Sequence, residues 1–103
     1  MIAIKITPQG NPYLVGIESS GIAEELHLMQ DHIGGYIETV RLKDGGIMLV
    51  DEDGIRKHKK ENRIASALCG QKIVGTVLIV GEEEDYLTDV PPKYFALFAI
   101  NMV

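Results

Sequence analysis

The segment from Gln30 to Glu38 constrains the fold most, because it joins a predicted helix to a predicted strand across two glycines. Upstream of it, four apolar residues recur at steps of four, three and four, which places them on one face of a helix. They are Ile22, Leu26, Met29 and Ile33. Gly34 can adopt the left-handed conformation that ends a helix, and Tyr36–Leu42 is rich in β-branched and aromatic residues. The sequence therefore predicts a helix over Ile22–Ile33 that runs directly into a strand.

Further strands are predicted where apolar, β-rich runs lie between clusters of turn residues. Besides Tyr36–Leu42, these runs are Ile2–Ile6, Tyr13–Ile17, Ile47–Val50 and Ile73–Val80. The Asp44-Gly45 pair between two apolar runs is the strongest local signal of a hairpin. Residues Gly81–Asp85 are predicted to form a solvated acidic loop. Together these runs predict a sheet of about five strands.

Two shorter helices are predicted beside the long one. Asn62 is a good N-cap for a short helix that ends at Gly70, and Pro91-Pro92 fits the first turn of a helix over Tyr94–Met102. A chain of 103 residues has the length of one domain. We therefore predict a single domain (1–103) of the α+β class, with a small, twisted, mainly antiparallel sheet and two or three helices.

Composition narrows the classes of function. The formal net charge is −5, whereas affinity for nucleic acid comes from an excess of Lys and Arg, so we expect no general nucleic-acid binding. Cys69 is the single cysteine, which excludes an intrachain disulfide and suits a reducing cytosol. The chain has no basic leader, and its apolar runs fall far short of the roughly 20 residues that span a bilayer. We expect a soluble cytoplasmic protein with no membrane partner.

Several short motifs follow one another at a characteristic spacing: Gly34-Gly35-Tyr36-Ile37-Glu38, Val40-Arg41-Leu42, Asp51-Glu52-Asp53-Gly54, Asn62, and the run from Ile73 to Gly81. Together they resemble an uncharacterised family, domain-of-unknown-function family 3846. The resemblance covers roughly Ile2 to Asp89. It implies a small α+β domain carried by bacteriophages and other mobile elements of bacteria, and hence a place in the bacterial host cytoplasm. It implies no activity and no catalytic residues.

Half of the ten Lys and Arg residues lie in one short basic segment. They are Arg56, Lys57, Lys59, Lys60 and Arg63. The segment leads into a predicted helix N-terminus, where free backbone N–H groups and the helix dipole favour an anion. Guanidinium groups bind phosphate in a bidentate fork and an amide can contact a base edge, so Arg63 and Asn62 are the strongest candidate ligand contacts, with Lys57 and Arg56 beside them. The alternative is an exposed loop whose lysines aid solubility.

Tyr36 and Glu38 lie two residues apart on a predicted strand, so they share one face. The tyrosine ring could stack on a base while the carboxylate binds a ribose hydroxyl, and both are therefore candidate ligand contacts. The alternative is that Tyr36 is half-buried in the core and Glu38 pairs across the hairpin.

Metal and catalytic signatures are weak throughout the sequence. Asp51–Gly54 fails the spacing of a calcium loop, and a plain turn is the favoured interpretation. His27 and His32 are five residues apart on a helix, so their side chains do not converge on one metal. No nucleophile can be paired with a base. We therefore expect no metal site, no cofactor and no enzymatic activity.

The apolar segment Tyr94–Val103 bears on assembly. A helix that is apolar all round must be buried, and a domain of this size covers one of its faces, so we expect a homo-oligomer through this C-terminal segment. The alternative is a tail folded entirely on its own core.

The leading functional hypothesis is a non-enzymatic phage or mobile-element accessory protein with an anti-defence role. It would bind and sequester a small anionic nucleotide signal, as a sponge does. The alternative is a protein–protein inhibitor that docks on a host enzyme through the tail or the acidic loop.

Overall fold

The computed structural model describes residues 1–100, which form an α+β fold. The strands are β1 (Ile2–Ile6), β2 (Tyr13–Gly16), β3 (Ile37–Arg41), β4 (Ile47–Asp51), β5 (Val77–Glu83) and β6 (Tyr86–Thr88). The helices are α1 (Ile22–Ile33), α2 (Arg63–Cys69) and α3 (Lys93–Leu97). The predicted fold class is therefore confirmed, and the sheet has one strand more than predicted.

All strand pairs are antiparallel, and five strands form one sheet in the order β2-β1-β5-β4-β3. The sixth strand, β6, pairs with the last residues of β5. The predicted hairpin between β3 and β4 is present, because Arg41 faces Ile47 and the Leu42 N–H donates to the Gly46 carbonyl over 2.9 Å. Gly45 supplies the positive φ (92°) that this turn requires.

Helices cover both faces of the sheet. On one face α1 packs over β4 and β5, with Met29, Ile33, Leu49 and Leu78 in the core. On the other face α2 and α3 pack over the same strands, with Met48, Ala65, Ile79 and Tyr94 in the core. Because both faces are buried, β4 and the first half of β5 are continuous apolar runs instead of alternating ones.

The boundaries of β5 differ from the predicted Ile73–Val80. The strand begins only at Val77, because Gly75 adopts a positive φ of 80° and turns the chain before it. At its other end β5 continues through Glu83 and pairs with β6, so part of the predicted acidic loop is a hairpin. The second strand of this hairpin, β6, ends at Thr88.

The C-terminal helix is shorter than the predicted Tyr94–Met102. It ends at Leu97, and the left-handed conformation of Ala99 (φ 54°) prevents it from continuing. Tyr94 is buried, and Phe95, Phe98 and Ile100 pack against the same core, whereas Leu97 is 59% exposed. The homo-oligomer expected through this segment stays a prediction. The last two residues of the predicted helix, 101 and 102, lie outside the described residues, as does residue 103. Among residues 1–100, no helix has the length and apolar character needed to cross a membrane.

Candidate functional site

A buried carboxylate lies where β4 ends and the basic segment begins. The Asp51 side chain is fully shielded from solvent, and its Oδ2 accepts hydrogen bonds from Lys57 Nζ at 2.9 Å and Lys59 Nζ at 2.6 Å. Its Oδ1 accepts the backbone N–H of Asp53 at 2.9 Å. A buried charge is tolerated only with such partners. We refer to Asp51, Lys57 and Lys59 as the Asp51 cluster.

The Asp51 cluster also closes the C-terminus of α1. Lys57 Nζ donates to the Gly34 carbonyl at 3.1 Å, and Lys59 Nζ donates to the Ile33 carbonyl at 3.0 Å. These oxygens lie at the negative end of the helix dipole, which cations stabilise. Gly34 ends the helix in the left-handed conformation (φ 81°), as predicted. A Cβ on Gly35 would lie 2.6 Å from Asp51 Oδ1, so only glycine fits beside the carboxylate.

The partners of Asp51 determine its ionisation. Burial by itself raises the pKa of this carboxyl, but the hydrogen bonds from Lys59, Lys57 and the Asp53 N–H outweigh burial. The pKa of Asp51 consequently falls from 3.8 to about 2. The carboxylate is therefore ionised at neutral pH and holds both ammonium groups in place.

Asn62, a predicted ligand contact, is an internal structural residue. It is 1% exposed, and its side-chain oxygen accepts the Ala65 N–H at 3.1 Å, which is the predicted cap of α2. Its Nδ2 donates to the carbonyls of Ile6 at 3.0 Å and Gly75 at 2.9 Å. These contacts use both the acceptor and the donor of the amide, which leaves no group of Asn62 for a base edge.

The structure places the predicted contacts of the basic segment in different environments. Lys57 belongs to the Asp51 cluster, Arg56 is exposed and pairs with Asp53 over 3.2 Å, and Arg63 is exposed at the start of α2. Within residues 51–63, five cations are matched by four carboxylates, so the local net charge is only +1. Asp53 and Asp51 thus neutralise Arg56 and Lys57, and ligand contacts through Arg56, Lys57 and Arg63 stay a prediction.

Tyr36 and Glu38 line two separate depressions. Glu38 lies in a crevice of about 160 Å³ with Asp51, Glu52 and Lys72, a lining with more carboxylates than cations. Tyr36 borders a shallower depression at the end of α1. It is exposed, so the half-buried alternative is wrong for Tyr36. Among residues 1–100, no three His, Cys, Asp or Glu side chains are grouped so that they could hold a metal ion.

A third depression lies between α1 and the β5–β6 hairpin. Its volume is about 240 Å³. Its lining residues are Ile22, Glu25, Leu26, Met29, Asp85, Tyr86 and Leu87. We call this depression the α1–hairpin groove. Ile22, Leu26 and Tyr86 are 77%, 44% and 65% exposed, although such large apolar side chains are usually buried.

The groove exists because only the second half of α1 is covered. Met29 and Ile33 are buried against the sheet, whereas Ile22 and Leu26, on the same predicted stripe, are exposed. The start of the helix is nevertheless well fixed, because the Glu24 carboxylate accepts hydrogen bonds from both the backbone N–H and the hydroxyl of Ser20. The exposed apolar stripe is therefore part of a regular helix. The N-cap itself is Gly21, which has no side chain to cap with.

Sequence reasoning missed the groove, and partial signals for it existed. It placed Ile22 and Leu26 on the same helical face as Met29 and Ile33 and gave Tyr86 no role. The acidic loop Gly81–Asp85 was predicted to be solvated, and Tyr86 follows it directly. This position indicated that Tyr86 could be exposed. No local pattern indicated that α1 extends beyond the sheet that covers its other half.

The chain is a small α+β domain whose single antiparallel sheet is covered by helices on both faces. Within that class, the chain belongs to the family described as Domain of unknown function (DUF3846), whose model matches residues 1–99. The resemblance inferred from the sequence motifs is thereby confirmed. No curated protein matches the chain.

One solved structure with a similar fold is the crystal structure of small RNA methyltransferase HEN1, at a TM-score of 0.67 and 20% sequence identity. The similarity covers 95% of this chain and 16% of the methyltransferase chain. This chain thus corresponds to a small part of that protein. At such low identity the likeness shows a shared fold alone.

Proposed function

We propose that this protein acts without catalysis, by binding another protein through the α1–hairpin groove. The observation that carries the proposal is the exposure of Ile22, Leu26 and Tyr86 along a single groove. Exposed apolar residues that are gathered together, unlike those scattered singly, mark interaction sites. This function is the inhibitor hypothesis drawn from the sequence, with α1 and the acidic hairpin as the docking surface in place of the tail. We propose that the protein performs this binding as an accessory protein of a phage or mobile element.

The protein-binding function is tested by affinity capture from a bacterial lysate with the immobilised protein as bait. Ile22→Lys places a charge in the groove, and Ile55→Lys is the matched control, because Ile55 is 69% exposed and lies outside the groove. We expect a protein that the wild type and Ile55→Lys retain and that Ile22→Lys loses. If the wild type enriches no protein over an empty support, the proposed function is refuted.

Nucleotide capture is a second proposal, and the exposure of Arg56 and Arg63 on one segment supports it. The engagement of Lys57 by Asp51 and the small local net charge make it the weaker of the two. Titration calorimetry with cyclic di- and trinucleotides and ADP-ribose derivatives tests it. Binding heat that Arg63→Glu abolishes would support capture. The absence of heat with every ligand at about 50 μM protein would count against it. At that concentration a ligand with a micromolar dissociation constant, which corresponds to about 8 kcal/mol of binding free energy, would be almost fully bound.

A further inference from the structure

We propose that the α1–hairpin groove takes an amphipathic helix of a partner protein whose apolar anchors are flanked by Lys or Arg. This inference rests on the proposed function and names the chemistry of the partner. The apolar anchors are required by the groove itself. Ile22 and Leu26, four residues apart, are the exposed apolar side chains that α1 presents in the groove, which the buried Met29 also lines. A second helix with apolar residues at similar spacing can lie beside Ile22 and Leu26.

The charges around the groove determine what must flank those anchors. Glu25 and Asp85 line the groove, and no lining residue is a cation. Glu83 and Glu84 precede Asp85 in the hairpin and are exposed. Among the described residues, Glu82 is paired with Arg41 over 2.7 Å, whereas no cation pairs with these other carboxylates. Complementary charge steers and orients a partner, so Lys or Arg on the partner is expected to face this acidic rim.

The same rim disfavours a second copy of this chain as the occupant. In a two-fold dimer each surface patch meets its own counterpart. Two α1–hairpin grooves placed face to face would bring the carboxylates of Glu25 and Asp85 on both copies together. Like charges placed opposite each other are unfavourable at an interface. A cationic partner avoids this repulsion and neutralises the rim.

The test uses two synthetic helical peptides with leucines at positions i, i+3, i+4 and i+7. The first has lysines at the flanking positions, and the second has glutamates there. Fluorescence anisotropy of the labelled peptides gives the dissociation constants for the wild type, Ile22→Lys and the control Ile55→Lys. We expect the lysine peptide to bind at least about tenfold more tightly than the glutamate peptide. Ile22→Lys should raise the dissociation constant of the lysine peptide by at least about tenfold, and Ile55→Lys should leave that constant unchanged.

Three results would overturn the inference. The two peptides could bind equally, which would show that the acidic rim plays no part. Ile22→Lys and Ile55→Lys could weaken binding equally, which would place the peptide elsewhere. The third such result is that neither peptide shows binding at a concentration of about 1 mM. Sedimentation adds a fourth result, a wild-type dimer that Ile22→Lys dissociates, which would make a second copy the occupant.

Thermal unfolding provides the control for folding. Ile22 is mostly solvent-exposed, so Ile22→Lys should melt within a few degrees of the wild type. The capture experiment separates this inference from the proposed function. A lysate protein lost by Ile22→Lys, together with failure of the lysine peptide, would retain protein binding and refute only the proposed partner chemistry.

Discussion

Replacing Asp51 with Asn tests whether the Asp51 cluster holds the end of α1 against the sheet. Asparagine keeps the size of the side chain and an oxygen for the Asp53 N–H, but it removes the charge that balances two ammonium groups. Lys57 and Lys59 would then keep only the carbonyl oxygens at the end of α1. Removing one partner of a buried ion pair leaves the other charge uncompensated. The variant is therefore expected to fold with reduced stability.

The size of the effect follows from the pKa of Asp51. In the folded protein this pKa falls from 3.8 to about 2, and each pH unit of difference corresponds to about 1.36 kcal/mol. The ionised carboxylate thus contributes about 2.5 kcal/mol at pH 7. For a domain of this length, 1 kcal/mol changes the Tm by about 4–8 °C. Asp51→Asn should therefore lower the Tm by about 10–20 °C.

The pH dependence gives the assay its specificity. Because the folded pKa lies below the unfolded one, the contribution of Asp51 is present above pH about 4 and is lost as the pH falls towards 2. Urea unfolding of wild type and Asp51→Asn from neutral to acidic pH measures it. The difference in the free energy of unfolding should be about 2.5 kcal/mol at pH 7. It should shrink steadily as Asp51 becomes protonated in the folded wild type.

Asp53→Asn is the matched control on the same turn. Asp53 pairs with the exposed Arg56, and exposed ion pairs contribute only about 0–1 kcal/mol. Its free energy of unfolding should therefore change by less than about 0.5 kcal/mol. The reasoning is refuted if Asp51→Asn costs no more than this control at pH 7. A loss that stays undiminished in acid would refute it too, since it would have a cause other than the charge.

Two further substitutions test the residues around this framework, again by urea unfolding. Gly35→Ala should lower the free energy of unfolding by about 1–3 kcal/mol, because its Cβ would lie 2.6 Å from Asp51 Oδ1. Gly16→Ala is the control and should change this free energy little, because its Cβ would have no atom within 4 Å. Equal effects of the two substitutions would contradict the steric argument. Asn62→Ala removes the cap of α2 and the donor to two carbonyls, and should cost about 2–4 kcal/mol. A cost below about 1 kcal/mol would show that water replaces the amide.

The features that were predictable from the sequence depend on local chemistry. The left-handed glycine after α1, the Asp-Gly hairpin and the Asn62 cap each involve residues within a few positions of one another. Local conformational preference and hydrogen bonding are sufficient to determine such features. They also specify the order of the elements, which is why the fold class could be predicted without the structure.

The basic segment could not be interpreted in this way, because its partners are distant in sequence. Lys59 contacts the Ile33 carbonyl, 26 residues away, and shares Asp51 with Lys57. Segregated charge is equally compatible with a ligand receptor and with an internal ion cluster, and only the tertiary contacts distinguish them. The exposure of Ile22 and Leu26 has a similar origin, since periodicity indicates the apolar face of a helix and not how far the sheet beneath it extends.

Several of the short motifs on which the family resemblance was based hold the fold together. Gly35 and the turn that begins at Asp51 meet in the Asp51 cluster, and Asn62 fixes α2. Ile22 and Tyr86, in the α1–hairpin groove, lie outside those motifs. The family match therefore predicts the fold and not the partner. Loss of binding in a variant of the Asp51 cluster would reflect a destabilised domain, so the binding surface has to be located with substitutions of exposed groove residues that leave stability unchanged.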